Sequence, residues 1–515
     1  MSMEPNPAQA LSNHSLPGTS GAHSVLGRGQ WHFDNTYLNL PAVFYTQLDP
    51  VAVREPRLVA FNLALANAIG LGFLDADPDA VNYFSGNAVP PGTVSFAQAY
   101  AGHQFGGFSM LGDGRAVLLG EHLTPDGQRI DLQLKGSGPT PYSRRGDGRA
   151  ALAPMLREYL MSEAMHHLGI PTTRSLAVVS TGEPVFRQAA QPGAVLTRVA
   201  ASHLRVGTFQ FAAAKGDIQD LRALLTYAIK RHYPELLGAD NEALALLLKV
   251  IDVQASLIVQ WMRVGFIHGV MNTDNMTISG ETIDYGPCAF MNRYDRETVF
   301  SSIDHQGRYA FGNQPGIAQW NLLRLAEALL PLLDPDEGKA IEIAKDAIGQ
   351  YAKLYTERFE QMMLNKLGIQ TKRDEEDQQN QQDQQLIADL LDWMTEAQAD
   401  YTNTFRDLAL TDLPDSPAYA TPRFRQWHAR WRCRVVAQGI ETAVIQDLMN
   451  RTNPAYIPRN YLVEAALQQA EQASDMARFE ELLGVLRNPY QTQPGKQSFA
   501  DPGEHNPAYA TFCGT

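Results

Sequence analysis

The chain has 515 residues and a formal net charge of −14, with 44% hydrophobic and 19% charged residues. This length allows two or three domains or one large two-lobed enzyme, and the composition is that of a globular protein. The excess of negative charge argues against a general nucleic-acid binder, which would need a basic surface. Three cysteines are too few for a disulfide scaffold, so we expect a reducing compartment.

The first 27 residues are rich in Ser, Pro, Asn and Gly and lack the apolar run of a signal peptide. We therefore expect a disordered leader over 1–27 and a cytoplasmic protein. The longest apolar stretch, within 243–270, is interrupted by charged residues that include Lys249 and Arg263, which argues against a membrane span. We expect neither a membrane nor a nucleic acid as partner, and we expect a monomer.

The pattern of apolar residues changes along the chain. Up to residue 217 it mixes strands with short helices, whereas 218–490 carries long helical stripes such as Leu244 to Met262. The last segment, 491–515, is a tail that carries Cys513. The predicted elements of the first part are a helix over 60–71, strands over 116–121 and 130–135 joined by a turn at 124–127, a helix over 155–169, and strands over 175–180 and 194–200.

This order predicts an α+β protein with a strand-rich N-terminal lobe, 28–217, and an extended helical C-terminal lobe, 218–490. Protein kinases have this two-lobed layout, although many other α+β proteins share it.

The strongest motif pair is HGVMNTDN at 268–275, directly after a long predicted helix, and IDYG at 283–286. Kinases place a catalytic loop H-R-D-x-x-x-x-N and a D-F-G motif at these points, and their Asn and second Asp hold Mg²⁺. The same spacing puts Asn275 and Asp284 at the metal positions, where Mg²⁺ or Mn²⁺ would find oxygen ligands. Each motif alone also fits an ordinary turn or strand end, but their joint spacing favours a metal site.

The catalytic aspartate of kinases falls on Val270 in this alignment. A valine side chain cannot accept the proton of a substrate hydroxyl. Asp274, beside Asn275, is the only carboxylate left in the loop.

A lysine at the end of a strand contacts nucleotide phosphates in kinases and is held by a helix glutamate. Lys135 ends the predicted strand 130–135, and the helix over 155–169 offers Glu158 and Glu163. Glu158 is favoured because it lies one turn nearer the start of the helix, but helical phase alone leaves both open.

Glycines and arginines accumulate around this lysine, in GDGR at 112–115 and KGSGPTPYSRRGDGR at 135–149. Backbone amides in flexible turns and arginine forks both suit phosphate oxygens. No G-x-G-x-x-G is present. Arg198 and Arg205 lie at the predicted junction between the lobes, where an arginine is as often structural as functional.

Several long motifs resemble the selenoprotein O family, whose members have a kinase-like fold and transfer AMP. The resemblance covers most of residues 30–490. It is carried by AYAGHQFGGF (99–108), LGDGRAVLLGE (111–121), LKGSGPTPYSRRGDGRAAL (134–152), REYLMSEAMHHLGIPTTRSLAVV (157–179), HGVMNTDNM (268–276), IDYGPCAF (283–290), DHQGRYAFGNQP (304–315), NPAYIPRN (453–460) and RNPY (487–490).

The resemblance implies that ATP binds in a flipped orientation and that AMP passes to Ser, Thr or Tyr hydroxyls of proteins; UMP transfer from UTP is attributed to bacterial members. It implies Asp274 as proton acceptor and Asn275 and Asp284 as ligands of Mg²⁺ or Mn²⁺. The implied nucleotide contacts are Gly112, Gly114, Arg115, Lys135, Asp147, Gly148, Arg198 and Arg205.

The family typically carries selenocysteine or cysteine near the C-terminus, and Cys513 stands at that position. A disulfide between Cys288 and Cys513 that gates the site is a hypothesis that follows from this resemblance.

Two other functions are compatible with the motifs. One is an ordinary kinase-type phosphotransferase, against which Val270 argues. The other is a nucleotide-binding pseudokinase that acts as a scaffold. The presence of Asn275, Asp284 and Lys135 argues against this alternative, because a scaffold has no need of catalytic residues.

Overall fold

The computed structural model describes residues 30–72, 78–370 and 377–512, so the predicted leader lies outside the described residues. The strands are β1 Tyr45–Gln47, β2 Arg57–Phe61, β3 Phe96–Gln98, β4 Ala101–Gln104, β5 Gly107–Met110, β6 Ala116–Leu123, β7 Arg129–Lys135, β8 Ala150–Ala151, β9 Arg174–Phe186, β10 Ala190–Ala200, β11 Phe266–Ile267 and β12 Ala289–Phe290.

The helices of the described residues are α1 Leu63–Ala68, α2 Pro78–Ser85, α3 Leu152–His167, α4 Val206–Lys215, α5 Ile218–His232, α6 Glu242–Val264, α7 Gln314–Leu333, α8 Glu337–Lys366, α9 Asp377–Ala397, α10 Tyr401–Asp407, α11 Pro422–Ala437, α12 Thr442–Thr452, α13 Asn460–Ala473 and α14 Ala477–Leu486. The predicted mixture of helix and sheet, α+β, is confirmed. No helix in these ranges is long and apolar enough to cross a lipid bilayer.

An antiparallel sheet in the order β1-β3-β6-β7-β10-β9-β2, with β8 added beside β10, occupies the first part of the chain. The predicted hairpin is present as β6 and β7, which pair from Ala116 opposite Lys135 to Leu123 opposite Arg129. The predicted strands 175–180 and 194–200 are the central parts of the longer strands β9 and β10, which form a second hairpin.

Both faces of this sheet are covered. Leu132 and Leu134 of β7 belong to a small apolar cluster with α1 and α2. The opposite face packs on α3 and belongs to a large core that continues into the helices after residue 206. Because side chains alternate along a strand, Gln133 between these leucines and Lys135 after them lie on the side of α3.

The predicted helix over 60–71 is shorter in the structure. Phe61 belongs to β2, which pairs with β9 opposite Ala177, and the helix begins only at Leu63. The Asn62 side chain accepts from the backbone N–H of Leu65 at 3.1 Å and so caps this helix. Strand pairing has overridden the helical spacing of the sequence.

The predicted helix with the Leu244 to Met262 stripe is α6. Asn241 caps its first turn by accepting from the backbone N–H of Leu244 at 3.0 Å, and Gly265 ends it in the left-handed conformation. α6 packs against α7 and α8. Its C-terminal end leads directly into β11 and the 268–275 loop, so the buried helix fixes where this loop begins.

A buried ion triad fastens α5 to the sheet. Arg231 donates to Glu121 Oε2 at 2.6 Å and to Asp131 Oδ1 at 2.8 Å, and all three side chains are buried. Buried carboxylates are tolerated only while their partners satisfy them.

Replacing Arg231 with methionine should lower the free energy of unfolding by about 3–5 kcal/mol, because the buried carboxylates of Glu121 and Asp131 lose their closest cation. Urea unfolding followed by circular dichroism measures this loss. The matched control is Arg451→Met, because Arg451 pairs with Asp447 on the surface of α12, where such pairs contribute roughly 0–1 kcal/mol. Equal effects of the two substitutions would contradict this reading of the triad.

Candidate active site

Strand register brings three polar side chains of the sheet together. Lys135 lies opposite Leu196, and Gln133 lies opposite Arg198, on neighbouring strands β7 and β10. Since paired residues share a face of the sheet, Lys135, Gln133 and Arg198 all lie on the side of α3. Arg198 donates to Gln133 Oε1 at 3.3 Å.

Glu158 of α3 meets these cations. Lys135 Nζ donates to Glu158 Oε2 at 2.6 Å, and Arg198 Nε donates to Glu158 Oε1 at 2.9 Å. Burial alone would raise the pKa of Glu158, but Arg198 and Lys135 hold the pKa below its ordinary value. The alternative partner, Glu163, is engaged by Arg174 at 2.7 Å instead.

Asp284 completes this cluster from the other side. It accepts from Lys135 Nζ at 2.9 Å and from Arg205 at 3.0 Å, and it also accepts from Arg198. Its φ of +61° is rare for a residue with a side chain. Burial would raise the pKa of Asp284, but Arg198, Lys135 and Arg205 together hold the pKa well below its usual range.

The 268–275 loop is tied to the Asp284 segment by its histidine. His268 is fully buried, and its Nε2 lies 2.9 Å from the carbonyl oxygen of Ile283. The His268 ring also stacks on Trp261 of α6, with centroids 5.4 Å apart. Asn275 donates from Nδ2 to the carbonyl oxygen of Val270 at 2.9 Å, which points the amide oxygen away from that carbonyl.

Asp274 is buried at the end of this loop in a short 3₁₀ turn, Thr273–Asn275. Its Oδ1 has no hydrogen-bond partner among the described residues. Burial raises the pKa of Asp274 to about 6, against the opposing effect of Arg205. Arg205 also donates to the Asp274 backbone carbonyl at 2.9 Å, so one arginine orients the loop and faces Asp284.

Gly102 of β4 lies directly against Asp274. A Cβ on Gly102 would fall 2.4 Å from Asp274 Oδ1, a distance that no non-bonded carbon and oxygen tolerate. Only glycine allows strand β4 to pass this close to the carboxylate.

These residues surround a cavity of about 420 Å³, called the central cavity below. Of the residues predicted from the sequence, it is lined by Gly114, Arg115, Lys135, Arg198, Arg205, Asp274, Asn275 and Asp284. A volume of this size falls in the range of small-molecule sites. The sequence-predicted cations, the candidate base and the candidate metal ligands therefore share one space.

Three predicted nucleotide contacts, Gly112, Asp147 and Gly148, are not among the described residues that line this cavity. Asp147 instead pairs with Arg187 at 2.8 Å. Gly148 packs where a Cβ would lie 2.1 Å from the backbone carbon of Gly138, so close packing of two glycine segments explains this glycine.

Sequence reasoning missed five polar residues of the cavity wall, namely Gln104, Asn272 and three more. Asp113 is buried, accepts from the backbone N–H of Gln98 at 3.0 Å, and has its pKa raised by burial to about 6. The ring of Tyr100 lies 4.7 Å below the guanidinium of Arg205. Gln133 is the third. Asp113 is part of the GDGR motif, in which only the glycines and the arginine were predicted to contact a nucleotide.

Known proteins resemble this chain over nearly its whole length. A family profile described as "Protein adenylyltransferase SelO" matches residues 29–487. Proteins called "Protein nucleotidyltransferase YdiU" from Syntrophotalea carbinolica and Bacillus thuringiensis are each 54% identical over 487 residues, which is 94% of this chain and 98% of each relative. A protein of the same name from Nitrosococcus oceani is 54% identical over 499 residues, which is 96% of this chain and 99% of that protein. The chain belongs to the SelO family.

The C-terminal tail of this SelO family member runs beside the Asp284 segment. Thr511 Oγ1 donates to the carbonyl oxygen of Pro287 at 2.7 Å. Cys288 is fully buried, and burial raises the pKa of its thiol to about 12. Cys513 lies outside the described residues, so the disulfide between Cys288 and Cys513 stays a hypothesis.

Gly102→Ala should abolish activity while the protein stays folded, because the added methyl group must displace the Asp274 carboxylate. Gly107→Ala on the neighbouring strand is the matched control, since its nearest contact would be 3.5 Å away. Transfer of labelled nucleotide to protein, together with thermal unfolding, measures both variants. Full activity of Gly102→Ala would show that Asp274 need not stay where the structure places it.

Proposed function

We propose that this protein transfers AMP from ATP to Ser, Thr or Tyr hydroxyls of proteins and releases pyrophosphate, with UMP transfer from UTP as a second activity. The observation that carries the proposal is the central cavity itself. It sets a buried carboxylate with an unpartnered oxygen, Asp274, beside Lys135, Arg198 and Arg205. The names of the SelO profile and of the YdiU relatives support nucleotide transfer onto proteins.

The proposed architecture is a kinase-like fold of two lobes. The sheet with α3 supplies the lysine and glutamate pair that kinases place between strand and helix. The helices that follow supply the loop with Asp274 and the segment with Asp284. We assign 28–217 to the first lobe, 218–490 to the second and 491–515 to the tail.

The nucleotide phosphates are proposed to bind at Lys135, Arg198 and Arg205, with Arg115 and Gly114 at the cavity wall. Arginine forks and the lysine ammonium both suit phosphate oxygens. In the flipped orientation expected for the family, the γ-phosphate points towards the sheet and the α-phosphate lies over the 268–275 loop. Gly112, Asp147 and Gly148 do not line the cavity. They would act indirectly, by fixing the backbone conformation of segments 112–115 and 135–149.

Asn275 and Asp284 fit Mg²⁺ or Mn²⁺ as ligands. Among the described residues no group of three or more His, Cys, Asp or Glu side chains forms a metal cage. One carboxylate and one amide oxygen, completed by phosphate oxygens and water, are what Mg²⁺ uses in nucleotide enzymes. When bound, the metal would supply positive charge for the negative charge that builds up on the transferring phosphate.

The reaction needs one bond to form and one to break. The acceptor hydroxyl oxygen attacks the α-phosphorus, and the bond from this phosphorus to the oxygen that bridges to the β-phosphate breaks. The hydroxyl proton passes to the Asp274 carboxylate, and pyrophosphate leaves. Lys135, Arg198 and Arg205 hold the charged oxygens in place, which is where most of the catalysis in such transfers originates.

Incubation with ATP labelled at either the α- or the γ-phosphate distinguishes this reaction from the alternatives. We expect protein-bound label from the α-position alone. A kinase-type phosphotransferase would give γ-label alone, and a nucleotide-binding scaffold would give binding without label. Parallel reactions with α-labelled UTP measure the second donor.

Asp274→Asn should lower this transfer by about 10²-fold or more, the usual contribution of a general base. Asp447→Asn on the surface of α12 is the control and should have no effect. Nucleotide affinity, measured by calorimetry, should stay within about threefold in Asp274→Asn, because the base contributes little to binding. An active Asp274→Asn enzyme would remove Asp274 from the role of base.

Removal of divalent cations with EDTA should stop transfer, and added Mg²⁺ or Mn²⁺ should restore it. Asp284→Asn should raise the metal concentration needed for half-maximal rate, because an amide replaces a charged ligand. Metal titrations of the transfer rate measure this shift. Full activity in EDTA would contradict the assignment of Asn275 and Asp284.

A further inference from the structure

Strands β4 and β5 form a hairpin that pairs with no other strand of the described residues. Ala101 lies opposite Met110, and Gln104 lies opposite Gly107. The tip, Phe105 and Gly106, has φ values of +50° and +89°. A two-stranded hairpin has little stability of its own in water, so its position must come from the residues beneath it.

The 268–275 loop holds this hairpin together with α4, whose Gln210 contacts His103 at 2.7 Å. The backbone N–H of His103 donates to Thr273 Oγ1 at 2.7 Å, and that of Phe105 donates to Asn272 Oδ1 at 3.1 Å. Asn272 Oδ1 also accepts from the hydroxyl of Tyr309 at 2.6 Å. The hairpin therefore lies directly over the turn that carries Asp274.

The hairpin presents large apolar side chains to solvent. Phe105, Phe108 and Met110 are 39%, 47% and 42% exposed, and Ile303, from a separate segment, is 51% exposed. Phe105 and Ile303 also line the central cavity together with Asp274. Exposed apolar groups at the edge of a polar site indicate contact with a partner.

We propose that Phe105 and Ile303 select the protein acceptor by binding an apolar side chain next to the hydroxyl residue that is modified. The inference rests on the proposed function. A hydroxyl that gives its proton to Asp274 must enter the cavity that these two side chains border. The polypeptide on either side of it then lies at the edge, where apolar side chains are its contacts.

The charge distribution separates acceptor from donor within the cavity. Lys135, Arg198 and Arg205 lie around Asp284 and suit the phosphates. Phe105 and Ile303 carry no charge and remain partly exposed, which suits an apolar group brought by a polypeptide. Asp274 has contacts with both sides, because Gly102 of the hairpin packs against its carboxylate and Arg205 donates to its backbone carbonyl at 2.9 Å.

The test uses two series of nine-residue peptides with one central Ser, Thr or Tyr, flanked by leucine in one series and by glutamine in the other. Transfer is followed with α-labelled ATP and the full-length enzyme. We expect kcat/KM to be about tenfold higher for the leucine series, the selectivity that a modest apolar contact provides. Phe105→Ser and Ile303→Ser should each reduce this preference to below about threefold, with the KM for ATP unchanged.

Phe186→Ser is the control, because Phe186 is 70% exposed at the end of β9 and does not line the cavity. It should retain the full preference. Thermal unfolding of Ile303→Ser and Phe186→Ser should match the parent chain, since both side chains are mostly exposed, whereas Phe105→Ser should be slightly less stable because its ring packs on Tyr309.

The remaining outcomes overturn the inference in distinguishable ways. Label on both series at equal rates refutes the selection but keeps the proposed function. If Phe105→Ser raises the KM for ATP and the peptide preference stays intact, Phe105 contacts the nucleotide base instead. If Phe105→Ser dissociates a dimer and the preference stays intact, Phe105 contacts a second copy of the chain instead. Bound ATP with no label on any peptide or protein refutes the proposed function together with the inference.

Discussion

Lys135, Glu158, Arg198 and Asp284 form one hydrogen-bonded ion cluster, and this cluster joins the parts of the molecule that make the site. It links β7, β10, α3 and the segment after β11, which come from distant parts of the chain. A buried charge without a partner costs several kcal/mol, so none of these elements can move away without a large penalty. The geometry of the cavity is therefore fixed by charge pairing as well as by the apolar core.

Together with Arg205, the cluster contains three cations, Lys135, Arg198 and Arg205, and two carboxylates, Glu158 and Asp284. Glu158 is enclosed between strand and helix, whereas Asp284 has its side chain at the cavity surface. In the proposed function, a nucleotide phosphate would offer the same three cations a second anionic partner, and Asp284 would then be available to a metal ion. The ion pairs thus hold the three proposed phosphate-binding cations in one place. Preorganised charge of this kind is the main source of catalysis in phosphoryl-type transfers.

Regular spacing in the sequence predicted the β6 and β7 hairpin, the helix α3 and the long helix α6, because each has an unbroken apolar period and a recognisable turn or cap. It failed over 60–71, where pairing of β2 with β9 is decided by residues more than 100 positions away. Motif spacing placed Lys135, Asn275 and Asp284 in one site. The choice between Glu158 and Glu163 needed the packing of α3, since both glutamates are buried and both have cationic partners.

Other features of the site carry no signal in a single sequence. Gly102 matters because β4 crosses Asp274 within contact distance, and nothing local distinguishes it from a turn glycine. Asp113 is part of the GDGR motif, whose glycines suggested a flexible loop rather than a buried carboxylate. These roles depend on contacts between segments far apart in the chain, which local propensity and motif spacing do not encode.

The 268–275 loop is braced through the main chain of Val270. The Asn275 amide donates to the backbone carbonyl of Val270, so position 270 supports the loop through its main chain. The side chain at 270 lines the cavity as an apolar contact. Asp274, one residue before the candidate metal ligand, then carries the carboxylate. In the proposed reaction the nucleotide is flipped, so its α-phosphate rather than its γ-phosphate would lie over this loop, and Asp274 would accept the proton of the hydroxyl that attacks there.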